Sequence, residues 1–471
     1  MVVPKTISQS RSMAIRRIAI VGSGLSGLLA AHALLQAGHE VTLYSDRSAT
    51  RWLEDSRPTG SAARFELALA YERELGLAHW EALAPKMRGV HMTMCPKIGN
   101  RMLTMISRLG GSYAQAIDLR LQSHRWMNDF ETAGGRIVIE TLDVDRLDAI
   151  AANHELVLVA CGRGPLAELF PRDAARSVYS APQRKLAMAI VTGGPDAIDG
   201  VPFLPLKANI FAPYGEAFWM PFYHRDHGPA WCMGFEARIG RPLDRFDACK
   251  TGHEVVAIGK ALIDELMPWE AAWAKNIELA DRNAWLVGEI TPTVRAPVGR
   301  LPSGRVVMPL GDTAMALDPI TAQGANLGSK QVRHVAAAIA ADPEVTFDAA
   351  WMTRTFEAFW ADHGEPTVRL TNVFLEPMTS AGMLLMISQA GSDGISDTPK
   401  QRIADAMFEN FVDPRRITDA FVDPRASRKL IAELTGRAWH REFVSGALHV
   451  GSGQLRRVFG MDPPPIAPPH H

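Results

Sequence analysis

The chain has 471 residues, an apolar content of 47% and a formal net charge of −1 at pH 7. This length suits two or three domains with a sizeable core, and the composition is that of an ordinary globular protein. Because no basic surplus is present, the charge argues against nucleic acid or an acidic membrane surface as a partner. No apolar run reaches the ~18 residues of a membrane span and no leader with a cleavage site is recognisable, so we expect a cytoplasmic protein.

The cysteines and histidines give no metal or disulfide pattern. The four cysteines, Cys95, Cys161, Cys232 and Cys249, stand far apart without a CxxC pair. This spacing suits reduced thiols in a reducing compartment. The segment 224–227 carries two histidines and an aspartate, but it lies between two predicted strands, where a solvated turn is expected. We therefore predict no metal site.

The stretch from Ile15 to Asp46 predicts a strand, a glycine turn, a helix and a second strand. Gly22 permits the tight turn, Gly24 lets a pyrophosphate approach bare backbone, and Gly27 lets the helix lie close to the strand. The N–H groups at the start of the helix then face the phosphates. This βαβ unit predicts dinucleotide binding, and the alternative is a glycine-rich turn in an ordinary α/β domain.

The adenosine end of such a site is less sharply marked. An acidic residue about twenty positions after the glycines usually holds the adenosine ribose. Asp46 stands near that place, although the strand-end position that normally carries the acid is Ser45. Arg47 is a candidate for the adenosine or a phosphate, and a solvated loop arginine fits the pattern equally well.

The next part of the chain predicts a helical insertion and the rest of the nucleotide domain. We expect an inserted helical segment at about 51–100, including a helix at 62–75, and a helical or irregular stretch at 103–111. A helix at 118–133 and strands at 136–141 and 155–160 follow. The second strand leads into small residues at Cys161 and Gly162, where another part of the nucleotide usually meets this kind of sheet.

From about residue 165 to 290 the pattern changes to short β-rich runs between Gly, Pro and Asp turns. The predicted strands are 185–192, 203–212, 217–223 and 230–238. These runs indicate an antiparallel sheet inserted between parts of the nucleotide domain, and such a sheet commonly roofs the substrate. Phe203, Phe211 and Trp219 are among the aromatic residues that give it an apolar face, although core packing alone would explain most of them.

The chain then returns to the nucleotide domain. A buried strand at 305–310 leads into Gly311 and Asp312, and the segment from Asp318 to Asn326 opens a helix that runs through residue 340. A carboxylate directly after a buried strand can bind a ribityl hydroxyl, while the helix N-terminus faces a polarised flavin carbonyl. Two nucleotide-type elements so far apart in sequence point to one extended cofactor. The remainder, 341–471, is predicted to be mostly helical.

Several of these motifs together resemble the styrene and indole monooxygenases, within the wider class of FAD-dependent aromatic hydroxylases. The motifs are the glycine turn at 22–27, Asp118-Leu119-Arg120, Ala160-Cys161-Gly162 and, most specifically, Gly311-Asp312 with Asp318-Pro319 to Gln323-Gly324-Ala325-Asn326. The likeness spans most of the chain to about residue 330 and weakens in the C-terminal helices. It implies an α/β fold of the aromatic hydroxylase type, in which a Rossmann-like FAD-binding domain (15–164 and 291–340) carries an inserted substrate sheet (165–290) and C-terminal helices (341–471).

The resemblance also implies the residues of the site. FAD would contact Gly22, Gly24, Leu25, Ser26 and Gly27 at the pyrophosphate, Ser45, Asp46 and Arg47 at the adenosine, Gly311 and Asp312 at the ribityl chain, Pro319, Gly324, Ala325 and Asn326 at the isoalloxazine, and Arg120, Cys161 and Gly162 elsewhere. The reacting flavin would lie against Pro319, Gln323 and Gly324, and the substrate against Ala62, Phe203, Phe211, Trp219, Ile320 and Thr321. The chain departs from the family at Ala62, where the styrene enzymes carry an asparagine.

The activity implied by the resemblance is that of the oxygenase component of a two-component FAD monooxygenase. Such a protein takes up FADH2 from a separate NAD(P)H:flavin reductase, forms a flavin hydroperoxide with O2, and epoxidises or hydroxylates a small apolar aromatic or alkene such as a styrene or indole. The segment 163–165 stands where a single-component hydroxylase carries an Asp-Gly pair. A homodimer is a further possibility. The alternatives are a single-component FAD/NAD(P)H-dependent oxidoreductase and a flavin-binding protein without turnover.

Overall fold

The structure is a computed structural model that describes residues 14–58, 63–198, 200–212 and 214–458. Its strands are β1 Arg17–Val21, β2 Glu40–Ser45, β3 Gly89–Met94, β4 Leu103–Arg108, β5 Arg136–Ile139, β6 Leu156–Val159, β7 Arg184–Thr192, β8 Pro205–Phe211, β9 Gly215–His224, β10 Gly228–Arg238, β11 Glu278–Leu279, β12 Trp285–Glu289, β13 Thr293–Val294, β14 Gly299–Arg300, β15 Val306–Pro309 and β16 Met315–Ala316. Its helices are α1 Leu25–Gln36, α2 Ala49–Asp55, α3 Glu66–Glu74, α4 Leu119–Thr132, α5 Val144–Ala151, α6 Gly252–Leu266, α7 Ala271–Ala274, α8 Gln323–Ala341, α9 Ala349–Phe359, α10 Glu365–Leu375, α11 Ser380–Ser388, α12 Pro399–Val412, α13 Pro424–Thr435 and α14 Trp439–Val458.

A six-stranded sheet forms the nucleotide-binding part of the fold. Its strand order is β14-β15-β6-β1-β2-β5, and all neighbours are parallel except the edge pair β14 and β15. The central strands are continuously apolar because helices cover both faces of a parallel sheet. Ile18 and Ile20 face a core that includes α1 and α8, whereas Ala19 and Val21 face the core that includes α5. The predicted Rossmann-like domain is confirmed.

A second, eight-stranded sheet lies beside the first. Its order is β11-β7-β10-β9-β8-β3-β4, with β12 also paired to β7. The neighbours are antiparallel, except that β3 runs parallel to β8. The strands predicted between 185 and 238 are all present, with small differences at their ends.

The prediction for the segment before this sheet was wrong in two places. Part of the insertion at 51–100 forms β3, and the stretch 103–111 contains β4 instead of being helical or irregular. Both strands contain β-branched residues, and β3 pairs with β8 while β4 pairs with β3, so the two are buried as part of the sheet. The large sheet is therefore assembled from two separate parts of the chain.

The two faces of the large sheet have different neighbours. One face packs against α6 and forms a closed core that includes Phe211, Trp219 and Phe235. The other face contacts the C-terminal helices, whose buried residues Leu385, Met407 and others form a joint core with it. Because successive side chains of a strand point to opposite faces, the register decides which residues reach each side.

The described part of the C-terminal region, up to residue 458, is mostly helical, as predicted. Helices α9 and α10 are joined by a π-helical turn at Trp360–Gly364, and α11 buries Leu384, Leu385 and Met386. No single helix within the described ranges is both long and apolar enough to cross a membrane, and one pair bent by 83°, 349–375 with 380–388, meets the length and composition criteria together.

Candidate functional site

A cavity of about 890 Å³ extends from the carboxyl ends of the six-stranded sheet to one face of the large sheet. Residues at the ends of β1, β2, β6 and β15 line one side of it, namely Val21, Tyr44, Ala160 and Leu310. The carboxyl ends of parallel strands are where α/β folds bind their ligands. The cavity is therefore the candidate site.

The glycine turn after β1 forms one end of this cavity. Gly22 has φ +110°, and a Cβ there would lie 2.2 Å from the oxygen of Ala160, so a side chain is excluded. A Cβ on Gly24 would meet no atom within 4 Å, so this position opens into the cavity. A Cβ on Gly27 would lie 1.9 Å from the oxygen of Gly22, which shows how closely α1 approaches the turn. Gly27 itself lies behind the wall, whereas Leu25 and Ser26 line the cavity.

At the end of β2 the residues predicted for adenosine point in different directions. Asp46 and Arg47 line the cavity, and Arg47 Nε donates to Asp46 Oδ1 at 2.9 Å. Ser45 is buried, and its Oγ lies 2.6 Å from that of Ser23, which also accepts from Trp52 Nε1 at 2.7 Å. Ser45 thus supports the glycine turn from behind and does not face the cavity.

A second group of predicted residues lies across the cavity from this end. Cys161 and Gly162 line it after β6, and the oxygen of Gly162 accepts from Thr313 Oγ1 at 3.1 Å. Asp312 lines the cavity, and its side chain is accessible from the cavity space. Because this space lies inside the protein, atoms of the surrounding walls still desolvate the carboxylate. Burial in this way raises the pKa of Asp312, and the positive charges of Arg163 and Arg295 partly offset the effect.

The segment from Asp318 to Asn326 forms a tight turn that opens α8. The Asp318 carboxylate accepts from the N–H of Ile320 at 3.1 Å, and Pro319 begins a short 3₁₀ turn. Ala322 follows with φ 53° and ψ 32° and is the one non-glycine residue with positive φ in the described part of the chain. Left-handed backbone in a non-glycine residue costs energy and concentrates at functional sites. Ile320, Thr321, Gly324 and Ala325 line the cavity beside Pro319.

The N-termini of α1 and α8 share one feature. Neither Gly24 nor Ala322, their N-cap residues, offers a side-chain hydrogen bond, so the first N–H groups of both helices have no such partner. Side chains cap α2, α4, α5, α6, α9, α11, α12 and α13. Helices α3, α7 and α10 also lack a side-chain cap. Uncapped helix N-termini attract negative charge. Two of them facing one cavity fit a ligand with a pyrophosphate at one end and a polarised carbonyl at the other.

Three further predicted cofactor or catalytic residues lie behind the wall. Gln323 is buried, and its Nε2 donates to the oxygens of Thr321 at 3.0 Å and Phe411 at 2.8 Å. Asn326 is also buried; its Oδ1 accepts from the N–H of Phe65 at 2.8 Å. Gly311 has φ +57°, and a Cβ there would meet Ser26 Oγ at 2.4 Å. These residues position the wall and do not contact the cavity space.

Arg120 also lies away from the cavity wall. Its Nη2 lies 2.7 Å from Asp118 and 2.8 Å from Asp281, and the guanidinium is completely buried. His224 Nδ1 accepts backbone N–H groups of residues 226 and 227, so its Nε2 donates to Asp281 at 2.7 Å. Although burial opposes it, hydrogen bonds from His224 and Arg120 lower the pKa of Asp281.

This cluster corrects two expectations. His224 is fully buried and does not belong to a solvated turn. Arg120 links α4 to the strand end at His224 and to Asp281, so its ion pairs join the two sheets instead of completing the cofactor site. Asp226 also stands near His224 and Asp281, in a group with metal-ligand spacing, but the Arg120 guanidinium already contacts the Asp281 carboxylate there.

The far half of the cavity is apolar. The large sheet contributes one face through Leu186, Met188, Leu206, Ala208, Ile210, Phe218 and Met220, with Val90, Met92, Met94 and Met105 from β3 and β4. The helices opposite contribute Phe374, Met386, Met407, Phe408 and Phe411, and the connection between α10 and α11 contributes Met378. Large apolar walls with flexible methionines accept apolar ligands of varied shape.

The predicted substrate residues are corrected in part. Phe211 and Trp219 point to the opposite face of the sheet, where Trp219 Nε1 donates to Glu270 Oε2 at 2.9 Å. Phe203 lies before β8, and its ring covers Gly89, where a Cβ would come within 2.7 Å. Phe218, which was predicted as part of the aromatic face but not as a substrate contact, faces the cavity because it is one position away from Trp219. Ala62 lies outside the described residues.

Sequence reasoning missed a set of charged residues on this same face. Glu216, Glu236 and Arg238 line the cavity, and the buried Arg184 contacts both glutamates. A signal was present, because these residues stand at alternating positions with Phe218 and Leu186 in apolar strands. A charged residue on an otherwise apolar strand face is uncommon unless it has a partner or a role.

The comparisons with known proteins agree with this site. Residues 162–272 match the family model for the substrate-binding domain of styrene monooxygenase A, and residues 20–73 match an NAD(P)-binding Rossmann-like domain. Styrene monooxygenase StyA of Pseudomonas fluorescens is 23% identical over 420 residues, which cover 87% of this chain and 96% of that protein.

Two solved structures show the same fold at low identity. A flavoprotein/dehydrogenase from Cytophaga hutchinsonii has a TM-score of 0.60 at 13% identity, over 89% of this chain and 98% of that one. The p-nitrophenol 4-monooxygenase PnpA of Pseudomonas putida DLL-E4 has a TM-score of 0.52 at 15% identity, over 90% and 98%.

The fold, the site and these matches define a flavin-dependent monooxygenase with a Rossmann-like domain, whose cofactor is FAD. Within that class the chain is similar in sequence to the styrene monooxygenases. FAD fits this structure. The open space at Gly24 and the two uncapped helix N-termini suit the phosphates and the carbonyl of a flavin dinucleotide.

Proposed function

We propose that this chain is the oxygenase component of a two-component system that epoxidises or hydroxylates a small apolar aromatic or alkene, such as a styrene or indole. The observation that carries the proposal is the single cavity, in which a dinucleotide site at one end continues into an apolar compartment at the other. The similarity to StyA supports the substrate class and the use of a separate reductase. Reduced FAD, when bound, supplies the two electrons with which O2 yields one oxygen atom for the substrate and one water.

The residues of the chain would bind and orient the reactants. The turn at 22–26 would hold the pyrophosphate, Asp46 and Arg47 the adenosine end, and Asp312 the ribityl chain. The turn at 319–325 would lie against the isoalloxazine, with Cys161 and Gly162 beside it. The apolar walls would exclude water from the reacting centre and hold the double bond against the flavin.

The dependence on a reductase is tested by mixing the purified protein, FAD and NADPH without oxygen and following flavin absorbance. We expect no bleaching at a catalytic rate, because the chain shows one glycine-rich dinucleotide turn and carries Arg163 where a self-reducing hydroxylase has its Asp-Gly pair. Catalytic bleaching would identify a single-component oxidoreductase instead.

A homodimer remains a prediction.

Product analysis separates an enzyme from a flavin carrier. With enzymatically reduced FAD, O2 and styrene or indole, we expect an oxygenated product and little release of hydrogen peroxide. Peroxide equal to the flavin oxidised, with no product from either substrate, would contradict oxygenation and support a flavin-binding protein without turnover.

A further inference from the structure

A polar cluster interrupts the apolar half of the cavity. Glu216 and Glu236 lie directly opposite each other on β9 and β10, with side chains on the face that lines the cavity. Both are largely buried, at 8% and 6% exposure. On its other side Glu236 pairs with Leu186 of β7, which lines the same cavity. Two carboxyl groups therefore share a confined position on an apolar wall.

The charges around this pair do not balance. Arg184 of β7 is buried; it contacts Glu216 closely, whereas its Nη1 lies 3.4 Å from Glu236 Oε2. The Asp318 carboxylate adds negative charge near Glu236 from the turn before α8. Arg238 directs its Nη2 to the oxygen of Leu375 at 2.7 Å.

The remaining charged group of this wall adds no positive charge. Glu376, after α10, lines the cavity and accepts from Tyr179 Oη at 2.7 Å. Four carboxylates, those of Glu216, Glu236, Asp318 and Glu376, therefore stand against two guanidinium groups, those of Arg184 and Arg238. A buried excess of negative charge is costly, and the usual remedy is to keep one carboxyl protonated.

Burial raises the pKa of both Glu236 and Asp318, but the Asp318 carboxylate accepts from the N–H of Ile320, which favours its charged form, so Glu236 is the member of the pair placed to keep the proton. Burial and the charge of Asp318 raise the pKa of Glu236 to about 7, against the opposing effect of Arg184. Arg184 is the one polar partner that the described residues give Glu236. A protonated carboxyl on the wall is a hydrogen-bond donor without a fixed acceptor.

We propose that Glu236 is a specificity-determining residue that donates a hydrogen bond to an oxygen or nitrogen acceptor on an otherwise apolar substrate. This inference rests on the proposed function, because it takes the cavity to be the substrate site. An acceptor that entered an apolar compartment without a donor would lose its bonds to water, so the donor at Glu236 favours substrates that carry one.

The test compares ligands of one shape that differ by a single acceptor. Isothermal titration of the FAD-loaded, oxidised protein gives dissociation constants for styrene and for 2-, 3- and 4-vinylpyridine, which replace one CH by a ring nitrogen. Measurements at about pH 6 and about pH 8.5 lie on either side of the Glu236 pKa of about 7. At the lower pH we expect one vinylpyridine to bind about fivefold more tightly than styrene, the effect of one net hydrogen bond.

Variants separate this effect from packing. Glu236→Gln keeps an N–H donor, so its preference should persist at both pH values, whereas Glu236→Leu should lose it at both. In Glu216→Gln the preference should be lost at a lower pH than in the wild type. The substitution removes one negative charge beside Glu236, so the pKa of Glu236 falls and its carboxyl group loses the proton earlier. Glu278→Gln, an exposed residue of β11, is the matched control and should behave as wild type.

The inference is overturned if no vinylpyridine binds more tightly than styrene at either pH, or if the preference survives in Glu236→Leu. If Glu236→Leu does not fold, two other results test the inference. The wild type should lose its preference at the higher pH, and Glu236→Gln should keep its preference at both pH values. Turnover of styrene with reduced FAD is measured in parallel. A preference without turnover overturns the proposed oxygenation but not the donor, whereas turnover without a preference overturns the donor alone.

Discussion

The substitution Gly24→Val tests the phosphate site without disturbing the fold. Gly24 has φ −78° and ψ −176°, an extended conformation that valine adopts readily, and a Cβ there meets no atom within 4 Å. The new side chain would project from the N-cap of α1 into the cavity. It would therefore occupy the space through which a phosphate reaches the first N–H groups of the helix.

The expected magnitude follows from those N–H groups. A hydrogen bond from a backbone N–H to a charged acceptor contributes about 1.5–3 kcal/mol. Losing two of them weakens FAD binding by about 3–6 kcal/mol, which corresponds to roughly 10²- to 10⁴-fold in the dissociation constant. Equilibrium titration of the apoprotein with FAD, followed by flavin fluorescence, measures this change.

Two other glycines serve as comparisons. Gly288→Val, at an exposed position in β12 where a Cβ is equally free, should leave FAD affinity unchanged. Gly22→Ala should destabilise the apoprotein itself, because its Cβ would overlap the oxygen of Ala160 at 2.2 Å. If Gly24→Val folds normally and binds FAD with wild-type affinity, the assignment of the phosphates to this turn is refuted.

Three further predictions concern the cofactor turn and the apolar walls. Asp312→Ala should weaken both oxidised and reduced FAD by about 1–3 kcal/mol in titrations, whereas Asp312→Asn should raise the unfolding temperature of the apoprotein at neutral pH. That gain should vanish as the pH falls below the ordinary carboxyl range, because folding raises the Asp312 pKa and so penalises its charged form. Ala322→Gly relieves a left-handed alanine and should increase the free energy of unfolding by up to about 1 kcal/mol in denaturant titrations. Phe218→Ala should raise the KM for styrene, while Trp219→Phe, which removes a donor to the buried Glu270, should lower stability by about 1–3 kcal/mol with little change in KM.

The geometry of the glycine turn was predictable because its requirements are local. The conformation of Gly22, the close packing at Gly27 and the open space at Gly24 depend on neighbours within the same βαβ unit or the adjacent strand. Such constraints fix the residue type directly, so the motif identifies the geometry. The residues behind the wall, Gln323 and Asn326, belong to the same motif, and the sequence could not show that their side chains turn to Phe411 and Phe65 and away from the cavity.

The substrate half was less predictable because it depends on strand register. The expected strands formed, but a shift of one position exchanges Phe218 for Trp219 on the cavity face. The register at Phe218 is set by pairing with Ala208 of β8 and Gly234 of β10, which the sequence pattern did not reveal. The same uncertainty concealed Glu236, whose importance arises from its neighbours on β7 and β9.

The two ends of the cavity are built from different groups, and this difference explains why the cofactor is easier to infer than the substrate. FAD would be held largely by backbone groups of α1 and α8, which a few glycines and one strained alanine expose. The substrate compartment is built from apolar side chains on the large sheet and on the C-terminal helices, where Phe374, Met407 and Phe408 complete the wall. Apolar contacts tolerate exchange of one residue for another of similar volume, so many sequences satisfy them. Substrate choice would then depend on the few polar groups on that wall, and for this reason the pair Glu216 and Glu236 carries more information about the substrate than the aromatic residues around it.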